Sequence, residues 1–181
     1  MNPEPENRSL ALARRGDDAP ALWEEVRFQK LWLALQRRAW RSLAILSAST
    51  SIDTLRMAEL VAKLAWRYSG RPSCVFDFRD MSLRLVEYHQ REVQRQAESG
   101  VCAVIALRPT FENPTAIPIA RSADAVALCI ELGVADFESA EQTISEVGRE
   151  RVVGAIVLRR SETKSAPKKG AVGDHSSSAG R

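Results

Sequence analysis

Five short apolar runs, Leu43–Ala48, Ser73–Phe78, Val101–Leu107, Ala125–Leu132 and Val152–Leu158, alternate with segments in which apolar residues recur at helical spacing. The runs are continuous and do not alternate with polar residues, which is the pattern of strands buried on both faces of a parallel sheet. The helical segments are Ile52–Tyr68, Ser82–Glu98, Pro114–Ser122 and Asp136–Val147. Ser69-Gly70 and Ser99-Gly100 supply turn signals ahead of the second and third runs. Strand–helix alternation of this kind predicts an α/β domain, doubly wound around a mostly parallel five-stranded sheet.

A further helical pattern, Leu22–Trp40, precedes the first run. It holds Trp23, Trp32 and Trp40, three of the chain's four tryptophans. At 100° per residue these rings cannot share one face, so the helix is expected to contact the domain on one side and a partner on another. Tryptophans are frequent anchors of protein interfaces, which marks Trp23 and Trp32 as candidates. Residues 1–20, with Pro3, Pro5, Gly16 and Pro20, read as a disordered leader containing a short helix at Leu10–Ala13. Residues 161–181 have the composition of a disordered tail, which leaves residues 21–160 as one domain.

Charge is unevenly placed. The whole chain carries +3, but Arg159–Arg181 holds six Lys/Arg against Glu162 and Asp174, so the remainder is close to neutral. The basic tail could make a weak contact with an anionic membrane surface. No apolar run reaches the eighteen residues that suggest a membrane helix. Cys74, Cys102 and Cys129 each fall in an apolar run without paired spacing, as expected of buried thiols in a reducing compartment.

The stretch between the first strand and its following helix, Ser47-Ala48-Ser49-Thr50-Ser51-Ile52-Asp53-Thr54, has the strand–loop–helix placement of a phosphate-binding loop. Such a loop needs glycines, so that backbone N–H groups can wrap the phosphates, and a lysine against the β/γ charge. There is no glycine between Gly16 and Gly70 and no lysine between Lys30 and Lys63. The residues at this degenerate loop are Ser47, Ser49, Thr50, Ser51, Asp53 and Thr54, with Asp77 at the end of the second run.

The order of segments over residues 22–160 resembles the cytoplasmic P-loop domain of the bacterial tyrosine kinases of exopolysaccharide and capsule biosynthesis, relatives of the MinD/ParA ATPases. Three matches carry the likeness: Glu24-x-x-Arg27-x-x-Lys30, the stretch Asn113-Pro114-Thr115-Ala116 to Ala123-Asp124-Ala125-Val126, and Val153-Gly154-Ala155-Ile156-Val157-Leu158. The resemblance implies the strand order second–third–first–fourth–fifth. It also implies that Glu24, Arg27 and Lys30 mediate self-association. The departures fall on the chemistry. Arg79 stands in place of the second acid after Asp77, Leu107 in place of a metal-organising aspartate, and Leu158 in place of an asparagine near the adenine. The family's terminal tyrosine cluster is missing.

Phosphoryl transfer depends on positioning and charge neutralisation by Lys, Mg²⁺ and backbone donors, so this reading expects no catalytic residue, metal or cofactor. Arg56, Arg79 and Arg108 are expected to pair with Asp53, Asp77 and Asp80. His89 reads as part of a solvated helix face. Arg84, Arg91 and Arg95 are interrupted by Glu87, Glu92 and Glu98, which argues against nucleic acid. What the resemblance implies is a catalytically inactive adaptor or regulator, cytoplasmic and peripheral to the inner membrane through a partner. That partner would be a polysaccharide co-polymerase or its kinase homologue, with self-association as a further expectation. Two alternatives stay open: a nucleotide-binding kinase or ATPase with an unorthodox loop, and a MinD/ParA-like positioning adaptor.

Overall fold

All five apolar runs form strands of one sheet. The computed structural model describes residues 11–12, 26–134 and 137–159. We label its strands β1 (Ala11–Leu12), β2 (Ser42–Ser47), β3 (Ser73–Asp77), β4 (Cys102–Ala106), β5 (Ala125–Glu131) and β6 (Val152–Leu158). The helices are α1 (Val26–Leu35), α2 (Thr54–Ser69), α3 (Val86–Glu98), α4 (Ala116–Ser122) and α5 (Phe137–Val147). The sheet order is β1-β3-β4-β2-β5-β6, in which β2 to β6 are mutually parallel. This is the doubly wound α/β architecture and strand order expected from the sequence.

The physical basis is the period-two geometry of a strand, which sends successive side chains to opposite faces. In β2, Leu43 and Ile45 enter a core with Val61, Leu64 and Ala65 of α2 and with Trp32 and Leu35 of α1. Ala44 and Leu46 enter a second core with Val93 of α3, Ile119 of α4 and Val147 of α5. Because both faces are covered, the middle of such a strand is an uninterrupted apolar run, and polar residues enter only at its ends, where Ser42 and Ser47 are buried with hydrogen-bond partners. Leu43, Ala44, Ile45 and Leu46 are all completely buried.

Helix ends fall where the chain supplies caps. Asp53 caps α2, its carboxylate accepting from the Leu55 and Arg56 N–H groups. Gly70 closes the same helix with φ 68° and donates its N–H to the Trp66 carbonyl, a left-handed position that glycine adopts without strain. Gly100, with φ 88°, makes the corresponding turn before β4.

The N-terminal part differs from the expectation in two places. Ala11–Leu12 is an extended pair, antiparallel to Cys74 and Val75, and not a helix within an unstructured leader. Backbone pairing with the otherwise open edge of β3 outweighs the weak helical propensity of so short a segment. Helix α1 ends at Leu35, and Trp40 lies beyond it, its indole donating to the Leu35 carbonyl at 3.0 Å. Trp32 and Trp40 are 8% and 3% exposed. They pack edge-to-face, and Trp32 also stacks on Tyr68. Trp32 therefore closes this domain's own core and is not available to a partner; Trp23 and Glu24 lie outside the described residues.

Asp124, the acid in the longest of the three matched stretches, has a structural task. Its carboxylate accepts from the backbone N–H groups of Arg41 at 2.8 Å and Ser42 at 3.0 Å, and its own N–H donates to the Ser42 hydroxyl. This ties the start of β5 to the start of β2. Burial pushes its pKa up, but the backbone donors of Arg41 and Ser42 prevail and hold it below the ordinary aspartate value. A depressed carboxyl contributes stability that is present above the unfolded pKa and lost as pH falls through the folded one. Asp124→Ala is accordingly expected to lower unfolding free energy by about 2 kcal/mol at pH 7. Urea titrations should show the gap between wild type and variant closing in acid.

Candidate functional site

The carboxyl ends of the parallel strands, where ligands of open α/β sheets bind, carry the loop singled out in the sequence. Here Ser47 closes the chain on itself: its hydroxyl donates to the Ser49 carbonyl and accepts the Ser49 N–H. The Ser49 and Ser51 hydroxyls share a hydrogen bond of 2.9 Å, and Ser51 donates to the Glu131 carboxylate. Thr50 is exposed on the rim. The serine hydroxyls of the loop are thus taken by one another, by the Ser49 backbone and by Glu131.

The first turn of α2 shows the same self-sufficiency. A helix N-terminus carries partial positive charge and unpaired N–H donors, which is why phosphates bind there. In this chain the anion is internal: Asp53 Oδ1 accepts from Leu55 N at 3.1 Å and Arg56 N at 3.3 Å. The Thr54 hydroxyl, 3% exposed, donates to the Leu107 carbonyl at 2.8 Å.

An ion-pair network overlies that turn. Arg79 grips Asp77 with two hydrogen bonds, Nε to Oδ1 at 2.8 Å and Nη2 to Oδ2 at 2.9 Å, and reaches Asp53 Oδ1 at 3.2 Å through Nη1. Arg56 lies 3.6 Å from Asp53. Arg108 binds Asp80 at 2.8 Å and approaches Glu112 at 3.5 Å. The expected pairing of the three arginines with the three aspartates is thus present. The Arg79 guanidinium hydrogen-bonded to Asp77 holds that carboxyl below its usual value, against the opposing effect of burial. Asn113 fixes the two loops together by donating to the carbonyls of Arg79 and Met81.

Two small hollows flank the network. One of about 230 Å³ lies among Thr50–Thr54, Arg79, Arg108, Pro109 and Glu112. The other, about 280 Å³, is bounded by Ile52, Arg56, Met57, Glu131, Leu158 and Arg159. Both fall below the roughly 300 Å³ at which ligand clefts begin. A larger hollow of about 510 Å³ lies at the opposite end of the sheet beside α3, away from all of these groups.

The residues present do not fit a magnesium–nucleotide pair. The carboxylates of Asp53 and Asp77 are bound to Arg79 and to helix N–H groups, and the Thr54 hydroxyl is bound to a carbonyl. Leu107, completely buried, offers no side-chain oxygen where the resemblance calls for one. Among the described residues no cluster of three or more metal-ligating side chains occurs. The chain matches no protein-family model, and no curated protein is found similar to it.

Glu131 and Glu112 belong to this site although the sequence reading does not mark them, and so does Asn113, which opens one of the matched stretches but has no role at the loop in that reading. Glu131 had a signal: a carboxylate ending an otherwise apolar strand, and 8% exposed, needs a donor within reach. The remaining candidates separate from the site. Arg27 and Lys30 are exposed on α1. Arg91 and Arg95 pair with Glu87 and Glu92, two of the glutamates that interrupt them in the sequence. His89 is not on a solvated face: its ring lies 4.4 Å from that of Phe78, itself 3% exposed. Burial pushes the His89 pKa down, with Glu92 opposing.

Replacing Arg79 with methionine tests the network. The variant should lose about 1 kcal/mol at pH 7, an amount already discounted for solvent screening of a half-exposed pair. Because the Asp77 carboxyl is depressed, the loss should be full above the ordinary aspartate range and shrink as pH falls below it, in urea unfolding at a series of pH values.

Proposed function

We propose that this domain is a catalytically inactive, P-loop-like docking module. It acts as an adaptor or regulator of bacterial polysaccharide assembly, bound to a membrane co-polymerase or its kinase homologue. The observation that carries the reading is the Asp53 carboxylate seated on the first turn of α2 and held there by Arg79. An internal anion at that position competes with any phosphate, both for the N–H donors and through like-charge repulsion. The polysaccharide context rests on the sequence resemblance, above all on the stretch from Asn113 to Val126.

Nucleotide-driven P-loop proteins change partners because a γ-phosphate reorders their loops. A loop locked by its own side chains presents one surface at all times, so docking would be constitutive. The outer side of α1 offers a contact: Val26 and Leu33, seven residues apart, are 61% and 69% exposed. Lys30 lies between them on the same side, with Arg27 beside it over the Phe28 ring. No described helix is long and apolar enough to cross a membrane, so attachment to a membrane complex would run through surfaces of this kind.

Calorimetric titration of the full chain with Mg·ATP is expected to give no saturable heat, and no phosphate release is expected. Micromolar affinity that disappears in Asp77→Asn would overturn the reading in favour of an enzyme. Val26→Asp with Leu33→Asp should leave the fold intact and reduce co-purification with the co-polymerase at least tenfold. An unchanged yield would exclude α1 as the contact.

A further inference from the structure

The amino ends of the strands differ in charge from the carboxyl ends. Residues 36–41, which lead into β2, and residues 66–72, which lead into β3, contain Arg37, Arg38, Arg41, Arg67 and Arg71 and no acidic residue. The structure ties these segments into one surface. The Arg71 guanidinium donates to the Trp40 carbonyl at 3.5 Å, and the Tyr68 ring stacks on Trp32, which packs against Trp40. Arg38 donates to the Glu150 carbonyl at 2.8 Å, joining the segment before β6.

None of the five guanidinium groups forms an ion pair among the described residues. Two are oriented by neutral carbonyls, so their charge stays uncompensated while their direction is set. The acids at this end are held by other groups: Asp124 holds the Arg41 and Ser42 N–H groups, Glu150 lies 3.9 Å from Arg151, Glu87 pairs with Arg91, and Glu98, which borders the same hollow as Arg41, accepts from Gln94. The favourable effect of a cation on a helix C-terminus accounts for Arg67 at the end of α2. It does not account for Arg37 and Arg41, which lie outside any helix.

From this arrangement we infer that the amino end of the sheet is a docking surface for the anionic phospholipid headgroups of a bilayer. Guanidinium groups suit phosphate through paired N–H donors. The amphipathic rings of Trp66 and Tyr68, 39% and 36% exposed, sit at the border of the cluster, where the interfacial layer of a bilayer would lie. On the Tyr68 side nucleic acid is the less suitable occupant, because base stacking needs an open ring face and this ring is already stacked on Trp32. The mixed-charge carboxyl end would point away from the membrane, and its repulsion is screened over about a Debye length of 10 Å. This surface is separate from the Asp53–Arg79 site, and the inference does not rest on that site being silent.

The test is co-sedimentation of the full chain with phospholipid vesicles at about 0.1 M salt. The vesicles would be phosphatidylcholine alone, or roughly three parts phosphatidylcholine to one of phosphatidylserine. The variant is Arg37→Gln/Arg41→Gln/Arg67→Gln, chosen because these side chains make no hydrogen bond or ion pair among the described residues; circular dichroism would verify that the fold is kept. Wild type should partition onto the anionic vesicles only, and the variant should lose on the order of 100-fold in partition coefficient. A second variant, Lys164→Gln/Lys168→Gln/Lys169→Gln, should lose less. The inference is wrong if the arginine variant partitions like wild type, if the tail variant alone abolishes binding, or if neutral vesicles bind equally well. Preferential binding of a duplex oligonucleotide at the same salt would replace lipid with nucleic acid as the occupant.

Discussion

A parallel sheet covered on both faces leaves its chemistry only two places to go. Once α1 and α2 cover one side of the strands and α3 to α5 the other, polar side chains can meet only where strands begin or end. The complete burial of Leu43–Leu46 and of Cys102–Ala106 is the mark of that constraint. The Asp53–Asp77–Arg79 network gathers at the carboxyl ends and the Asp124 tie at the amino ends because the inner strands meet water nowhere else; the edge strand β6 alone among the parallel strands exposes its middle, at Gly154, Ala155 and Val157.

Within that frame, Asp53 decides the character of the carboxyl end. A free helix N-terminus next to buried strands is an electrostatic vacancy that the protein must fill, with a ligand or with itself. Filling it with a side chain stabilises α2 and, through Arg79, draws in Asp77 from β3, two strands away from β2 in the sheet. The serines of the loop follow the same logic, the hydroxyls of Ser47, Ser49 and Ser51 each bound to a nearby group in place of an outside phosphate. Stability and ligand binding compete here for the same donors.

The fold was largely legible in the sequence because apolar continuity and helical period act locally and agree with each other. The β6 bounds, Val152–Leu158, were read without error, and most other strand and helix limits fall within a residue or two of their observed positions. What escaped was non-local. The pairing of Ala11–Leu12 with β3 depends on an edge whose openness only the assembled sheet defines. The end of α1 before Trp40 depends on the indole finding the Leu35 carbonyl. The inclusion of Glu131 depends on Ser51, eighty residues earlier in the chain. His89 was misread for a similar reason, since the Phe78 ring that buries it comes from another element. The ion pairs, in contrast, could be anticipated, because strand-end positions determine which loops face one another.

The three cysteines give the sheet a further property. Cys74, Cys102 and Cys129 sit on the three adjacent or near-adjacent strands β3, β4 and β5, all at most 2% exposed. Burial raises the Cys74 thiol to about 11 and the Cys129 thiol to about 12. Neither forms the reactive thiolate at neutral pH while the sheet is closed. Each becomes modifiable only through an opening of its own strand, so the rate at which a small alkylating reagent consumes each thiol is a clock on that event. One chain thus carries three native timers, able to report whether the sheet opens as a single unit or strand by strand from an edge.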